Sequence, residues 1–238
     1  MSQHQILDPK THADLRIRAE AGSELGDGIS AALAVPAEFR RLACEFPLLF
    51  RREGASGGLT ALALLGFEAG ENLFLAGTRW DAVCRPLSIA VQPFLIGRAA
   101  GGEGPSQVHI DIGHPRIAAD GEGIRVFDSD GAPSPFLEEA IEMLGMLDDG
   151  HRASGTFFAA IDRYELLEPF SMDVALDSGA AHRMVGYSIV NEEALAALEP
   201  GILAELHAAG HLAPLYFAVA SLGNLGKLIR RKNRQSHG

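Results

Sequence analysis

The segment Val108-His109-Ile110-Asp111-Ile112-Gly113-His114 gathers two imidazoles and one carboxylate into a short stretch. On a strand, residues 109 and 111 share a face, and Gly113 can turn the chain so that His114 joins them. Two histidines and a carboxylate are the ligand set of a non-haem iron centre. This reading makes the chain a metal-dependent enzyme built on His109, Asp111 and His114. The competing reading is a strand end with polar residues on its wet face. Spacing favours the second, because oxygenases of that type place their second histidine on a distant strand. It assigns no catalytic residue, no metal and no cofactor.

Other residues suited to chemistry are weighed in the same way. Trp80 is the single tryptophan. With Arg79, Asp81 and Arg85 nearby it either lines a pocket or packs half-buried on a sheet edge. Trp80, Asp111 and Arg116 are the candidate ligand-binding residues. Asp128-Ser129-Asp130-Gly131 opens like a calcium loop and has Glu139 at its twelfth position, but Pro133 and Pro135 spoil the loop between. It reads as an Asp-rich turn whose side chains bond backbone N–H groups. The Gly101–Gly104 run lacks a strand-to-helix context and a following Lys-Ser/Thr, so it is no phosphate loop. No G-x-S-x-G is present, and Ser221 reads as helix packing. His151, His182, His207 and His211 are scattered and read as surface or loop residues.

The elements that position these groups follow from periodicity. Asp14–Arg18 alternates as a short strand. Pro36 suits the first position of a helix whose Phe39, Leu42, Ala43 and Phe46 share a face, and Pro47 ends it. Strands are predicted at "LLFRRE" and "LTALALLGF" around the turn "GASGG", and at "NLFLA". "VQPFLIGR" is a strand that Pro93 confines to an edge or a first pairing position. "VHIDI" and "IRVFD" follow a flexible loop near 98–107. Ser134 caps and Pro135 starts a helix running to about Leu147, interrupted by "DDG", with a second helix over 154–164. "FSMDVAL" and "HRMVGYSIV" form a hairpin. Asn191 caps the next helix, and Gly210 closes the one after it. In the last helix, from near Pro214, the stripe Leu215, Val219, Leu222, Leu225 and Ile229 faces the core. Ala220, Gly223 and Gly226 form a ridge of small residues that meets another backbone closely. Strands first, then helices around one hairpin, predict an α+β fold: a mostly antiparallel sheet from the N-terminal half and the hairpin, covered by C-terminal helices. One domain over 1–238 is expected.

The bulk numbers exclude some classes. The net charge of the 238 residues is −11. The last twelve hold Lys227, Arg230, Arg231, Lys232 and Arg234 with no acid, which leaves a body of −16. An acidic body repels phosphates and argues against a nucleic-acid surface. The basic tail 230–238 reads as a helix C-terminus whose cations suit the macrodipole. Cys44 and Cys84 are the only cysteines and lie in no CxxC, so they read as buried free thiols in a reducing compartment. No signal peptide is visible, and the apolar runs "LTALALLGF" and "LAPLYFAVASL" fall short of the roughly 20 residues of a membrane span. A cytoplasmic location is expected.

Segments along nearly the whole chain resemble one family. "THADLR" is similar to the opening of the SapC family. "AEFRRLACEFPLLF" resembles its A-E-F…Y-P-x-x-F segment, with Phe46 where tyrosine is common, and "LLGFEAGENLFL" and "RWDAVCRP" resemble G-x-x-x-x-x-N-L-F and R-W-x-x-x-x-x-P. "IRVFDSDGAPSPFLEEAIEML", "LLEPF" and "AELHAAGHLAPLYFAVASLGNLGKLI" resemble the remainder. The family is named from a gene linked to bacterial surface-layer proteins, and some members carry the label peptide transporter permease. The resemblance implies the company of TonB-dependent receptors, cupin-like oxygenase-type proteins and flavin-dependent halogenase-like proteins. It brings no catalytic residue set, and it implies a non-enzymatic adaptor with a protein partner. One departure stands out: relatives usually read R-R-Y-P-F where this chain has Ala90-Val91-Gln92-Pro93-Phe94.

Overall fold

A computed structural model describes residues 3–54, 57–97, 106–119, 121–177, 179 and 181–236. In chain order the strands are β1 (His4–Ile6), β2 (Arg16–Ile17), β3 (Ala31–Ala34), β4 (Leu48–Glu53), β5 (Gly58–Leu64), β6 (Leu75–Ala76), β7 (Arg79–Trp80), β8 (Phe94–Gly97), β9 (Gln107–Asp111), β10 (Ile124–Arg125), β11 (Leu167–Ala175) and β12 (Ala181–Val190). The helices are α1 (Phe39–Leu42), α2 (Leu87–Ala90), α3 (Pro135–Arg163), α4 (Glu192–Ala196), α5 (Pro200–Ala208), α6 (Leu212–Ser221) and α7 (Leu225–Ser236). The fold is α+β, as the periodicities predict.

The chain forms two compact units. The first comprises Met1–Gly28, Leu75–Asp81 and Leu87–Asp149. Its central sheet has the order β1-β9-β8, all antiparallel, with β8 at an edge just after Pro93. That placement suits a proline, which cannot donate to a ladder. Alternation along β9 sends Ile110, fully buried, into a cluster with Ile17, Val91, Phe94, Val126, Phe127 and Leu137. His109 and Asp111 therefore occupy the opposite face. Ser134 starts α3 as expected, its Oγ accepting from Leu137 N at 3.4 Å.

The second unit comprises Ile29–Phe74, Ala82–Pro86 and Gly150–Gly238. Its sheet has the order β11-β12-β4-β5-β3, so the late hairpin extends the N-terminal strands as predicted. The hairpin register shifts between Phe170 and Met172, opposite Gly186 at φ 82°, a bulge that a Cβ would disfavour. α6 packs on β4, β12 and α1. The core is aromatic: Phe39 meets Phe50 and Phe157 edge-on at 6.2 and 6.0 Å. Asn191 caps α4 by accepting from Ala194 N at 2.9 Å.

Several expectations need correction. "DDG" does not interrupt the helix, and α3 runs unbroken for 29 residues. Gly150 is there for space, since a Cβ on it would lie 2.6 Å from Val35 Cγ2. "NLFLA" is no strand: Leu73 and Phe74 are buried in a turn, and only Leu75–Ala76 pairs. Cys44 is exposed, because it lies past the end of α1 on its outer side. The last helix inverts the predicted ridge: Ala220, Gly223 and Gly226 are exposed, and nothing lies within 4 Å of a Cβ built on Gly223. The buried line is instead Leu215, Ala218, Ser221, Asn224 and Leu228. It includes two polar residues because each finds a backbone partner: Ser221 Oγ accepts from Leu48 N at 2.8 Å, and Asn224 Nδ2 donates to Ala43 O at 2.8 Å. A 3-10 turn over Leu222–Asn224 joins α6 to α7. The resulting run Leu212–Gln235 is long and apolar enough to cross a membrane by length and composition, where the apolar stretch by itself fell short. The predicted loop near 98–107 lies outside the described residues over 98–105.

Candidate functional site

The histidine–aspartate segment lies in the first unit. Strand register puts His109 opposite Ile6 and Leu95, and Asp111 opposite His4. The His109 ring covers Gly97, where a Cβ would collide with it. Asp111 Oδ1 accepts from Gln3 N at 2.7 Å and from Gly113 N at 3.0 Å. Those bonds pin the strand end and shape the turn that follows, as short carboxylates do in Asx turns. His114 lies in that turn and its Nδ1 accepts from Arg116 N at 3.2 Å. Among the described residues no group of three or more His, Cys, Asp or Glu is placed to hold a metal ion.

Arg116 is the centre of the segment that does come together. It is 2% exposed, and its guanidinium reaches fully buried Asp27 at 2.7 Å. The same guanidinium donates to Arg18 O and Glu20 O at 2.8 Å each. Asp27 Oδ2 also accepts from Gly22 N at 2.9 Å. The pair thereby ties the loop 18–27 to the turn after β9. Additional hydrogen bonds of this kind offset the desolvation of a buried ion pair. Gly26, at φ 96°, lets His114 and Gln92 approach: a Cβ there would lie 3.1 Å from His114 Cε1 and 3.3 Å from Gln92 Oε1. Burial first, and the charge of Arg116 second, lower the pKa of His114. With Nδ1 accepting, the neutral ring carries its proton on Nε2. Gln92 Oε1 and Arg116 Nε are buried and lack a hydrogen-bond partner among the described residues. The first is an acceptor and the second a donor.

Trp80 is half-buried on the β6–β7 hairpin, opposite Leu75. Its hairpin borders the Arg116 loop through a bond from Ala21 N to Thr78 O at 3.1 Å. Asp27, Gly26 and Gln92 were missed in the sequence reading. Asp27 lies 89 positions from Arg116, and a lone acid between glycines gives no local signal.

The second unit carries a different feature, a one-sided helical run. Tyr216 is 51% exposed, and Ala220, Gly223, Lys227, Arg230 and Arg234 continue outward at three- and four-residue spacing. Arg231 turns inward over the Phe74 ring at 4.5 Å, and Lys232 reaches Glu68 at 2.7 Å and also Glu71. Burial opposes the charge of Lys232, but the bonds to Glu68 and Glu71 outweigh it and raise its pKa.

No curated protein and no solved structure matches the chain. The SapC family model matches residues 7–228. That match takes in the Arg116 loop, the five-stranded sheet and the helical run as far as Leu228, and it places this chain in the SapC family.

Proposed function

We propose that this chain is a non-enzymatic binding or adaptor member of its family, and that the outer face of α6 and α7 receives a protein partner. The observation that carries the reading is a mismatch between composition and burial. Leu212–Gln235 is apolar enough to span a membrane, yet only 28% of its apolar window is buried. The outer face begins with Tyr216, flattens at Ala220 and Gly223, and ends in three exposed cations, Lys227, Arg230 and Arg234. Its complement is a partner helix with an apolar stripe that leads into carboxylates. The family's company supplies the class of partner: oxygenase-like, halogenase-like or TonB-receptor-linked proteins. The charges of Asp111 and Arg116 work on the fold, through the internal bonds described above.

A photo-cross-linking residue at Ala220 or Gly223 tests this, with Val185, 59% exposed on β12, as the control. The expected result in the source cell is one acidic-faced protein captured from 220 and 223 and not from 185. Capture should fall at least tenfold when Lys227 and Arg230 are changed to Glu. Equal capture at all three positions, or flotation of the chain with anionic vesicles in place of protein capture, overturns the proposal.

A further inference from the structure

The two cysteines, 40 positions apart in the chain, both lie in the second unit. Cys44 follows α1 and is exposed, and its Sγ lies 3.5 Å from Arg40 O. Cys84 is 8% exposed, and its Sγ lies 3.6 Å from Arg41 O. Arg40 and Arg41 are consecutive, so the two sulfurs stand over neighbouring carbonyls of one helical turn. The backbone gives the same picture: Cys44 N donates at 3.4 Å to the very Arg41 O that Cys84 Sγ approaches. Cys84 belongs to the irregular segment 82–86, which is neither helix nor strand and whose Val83 is 93% exposed. Closing a disulfide needs Cα atoms within about 7 Å, and the segment without ladder bonds is the side that can yield.

We propose that Cys44 and Cys84 form a thiol modification site that a peroxide closes to an intramolecular disulfide. Exposed Cys44 reacts first. Its sulfur attacks one peroxide oxygen, the O–O bond breaks, and a sulfenic acid forms as the first water leaves. Cys84 then attacks the Cys44 sulfur, the S–O bond breaks, and the sulfenic oxygen leaves as a second water with the Cys84 proton. Each sulfur gives up one electron, and the peroxide takes both. A reducing dithiol reverses the bond by exchange. The order of events follows from burial, which pushes the Cys84 thiol up to about 11 and keeps it protonated near neutrality. Arg41, Glu45, Cys44 and Glu38 are the ionisable groups that face it, and Arg41 alone among them favours the thiolate. The closing step therefore speeds up about tenfold per pH unit on the alkaline side of neutrality, as the thiolate fraction grows.

The test uses the full-length reduced protein and hydrogen peroxide. The expected product has lost two hydrogen atoms by intact mass, has no free thiol, and yields a cross-linked peptide holding residues 44 and 84. A dithiol should restore both thiols. Cys84→Ser should leave a Cys44 sulfenic acid that a cyclic dione traps, and Cys44→Ser should leave Cys84 unreacted over the same time. These variants only add to a result already read on the unaltered chain, so poor folding of either leaves it decisive. Cys44 gaining two or three oxygens with Cys84 still a free thiol would overturn the proposal. So would a Cys44-linked dimer as the main product, or a closing rate that does not change with pH.

Discussion

Arg116 spends its guanidinium on Asp27 and on the carbonyls of Arg18 and Glu20. Removing one partner of such a pair leaves an uncompensated buried charge, which costs about 3–5 kcal/mol. Asp27→Asn is therefore expected to lower unfolding free energy by that amount, measured by urea denaturation with an unchanged m-value. A smaller loss, under about 1 kcal/mol, would mean that the loop 18–27 is held by other contacts. His114 gives a second residue-scale prediction. Its folded pKa lies below the ordinary histidine value, through burial first and Arg116 second. Below about pH 6.5 the unfolded chain binds a proton that the folded chain refuses. Stability is thus full above that pH and is lost as pH falls through the lowered folded value. His211, lowered by burial alone, acts with the same sign. His114→Gln should flatten the fall in stability between neutrality and acid pH, measured as melting temperature against pH. A slope identical to that of the parent chain would remove His114 from the balance.

At the scale of elements, two helical glycines carry opposite expectations. Gly150 in α3 is buried, and an added Cβ would meet Val35 Cγ2 at 2.6 Å. Gly150→Ala should destabilise by about 1–3 kcal/mol, the usual cost of overpacking. Gly223 has open space around it. Gly223→Ala should stabilise by up to about 1 kcal/mol, because alanine loses less backbone freedom in a helix. Paired melting curves check both. If both variants lose stability, the outer face of α6 and α7 is covered, and the surface proposed for the partner is not free. The spacing of the small residues predicts a close contact at Gly223 and leaves Gly150 as a break. Periodicity locates a glycine on a helix but cannot say whether a neighbour or solvent stands opposite.

At the scale of the whole molecule, the chain crosses repeatedly between its two compact units. The division at Asp149 and Gly150 falls inside α3. Melting one unit alone would therefore break a continuous helix and leave several strand connections under constraint. We expect a single calorimetric transition whose van't Hoff and calorimetric enthalpies agree. Two resolved transitions, or a stable isolated fragment 1–105, would show that the units fold independently.

What the sequence determines by itself is local. Ser134 and Pro135 open α3, Asn191 caps α4, and Phe39, Leu42 and Phe46 bury one face, because caps and apolar spacing act over one or two helical turns. The alternation of the late hairpin and the edge position of β8 after Pro93 are legible for the same reason. The pattern His109-x-Asp111-x-x-His114 is also visible, but residue types alone leave it open between metal ligands and a strand end. Tertiary structure adds the bonds that Asp111 accepts from the backbone of Gln3 and Gly113. It decides the partner of Arg116, the exposure of Gly223 and the approach of the Cys44 and Cys84 sulfurs to neighbouring carbonyls of one turn. Each of these depends on which surfaces face each other across long stretches of chain, and no spacing within a single element encodes that.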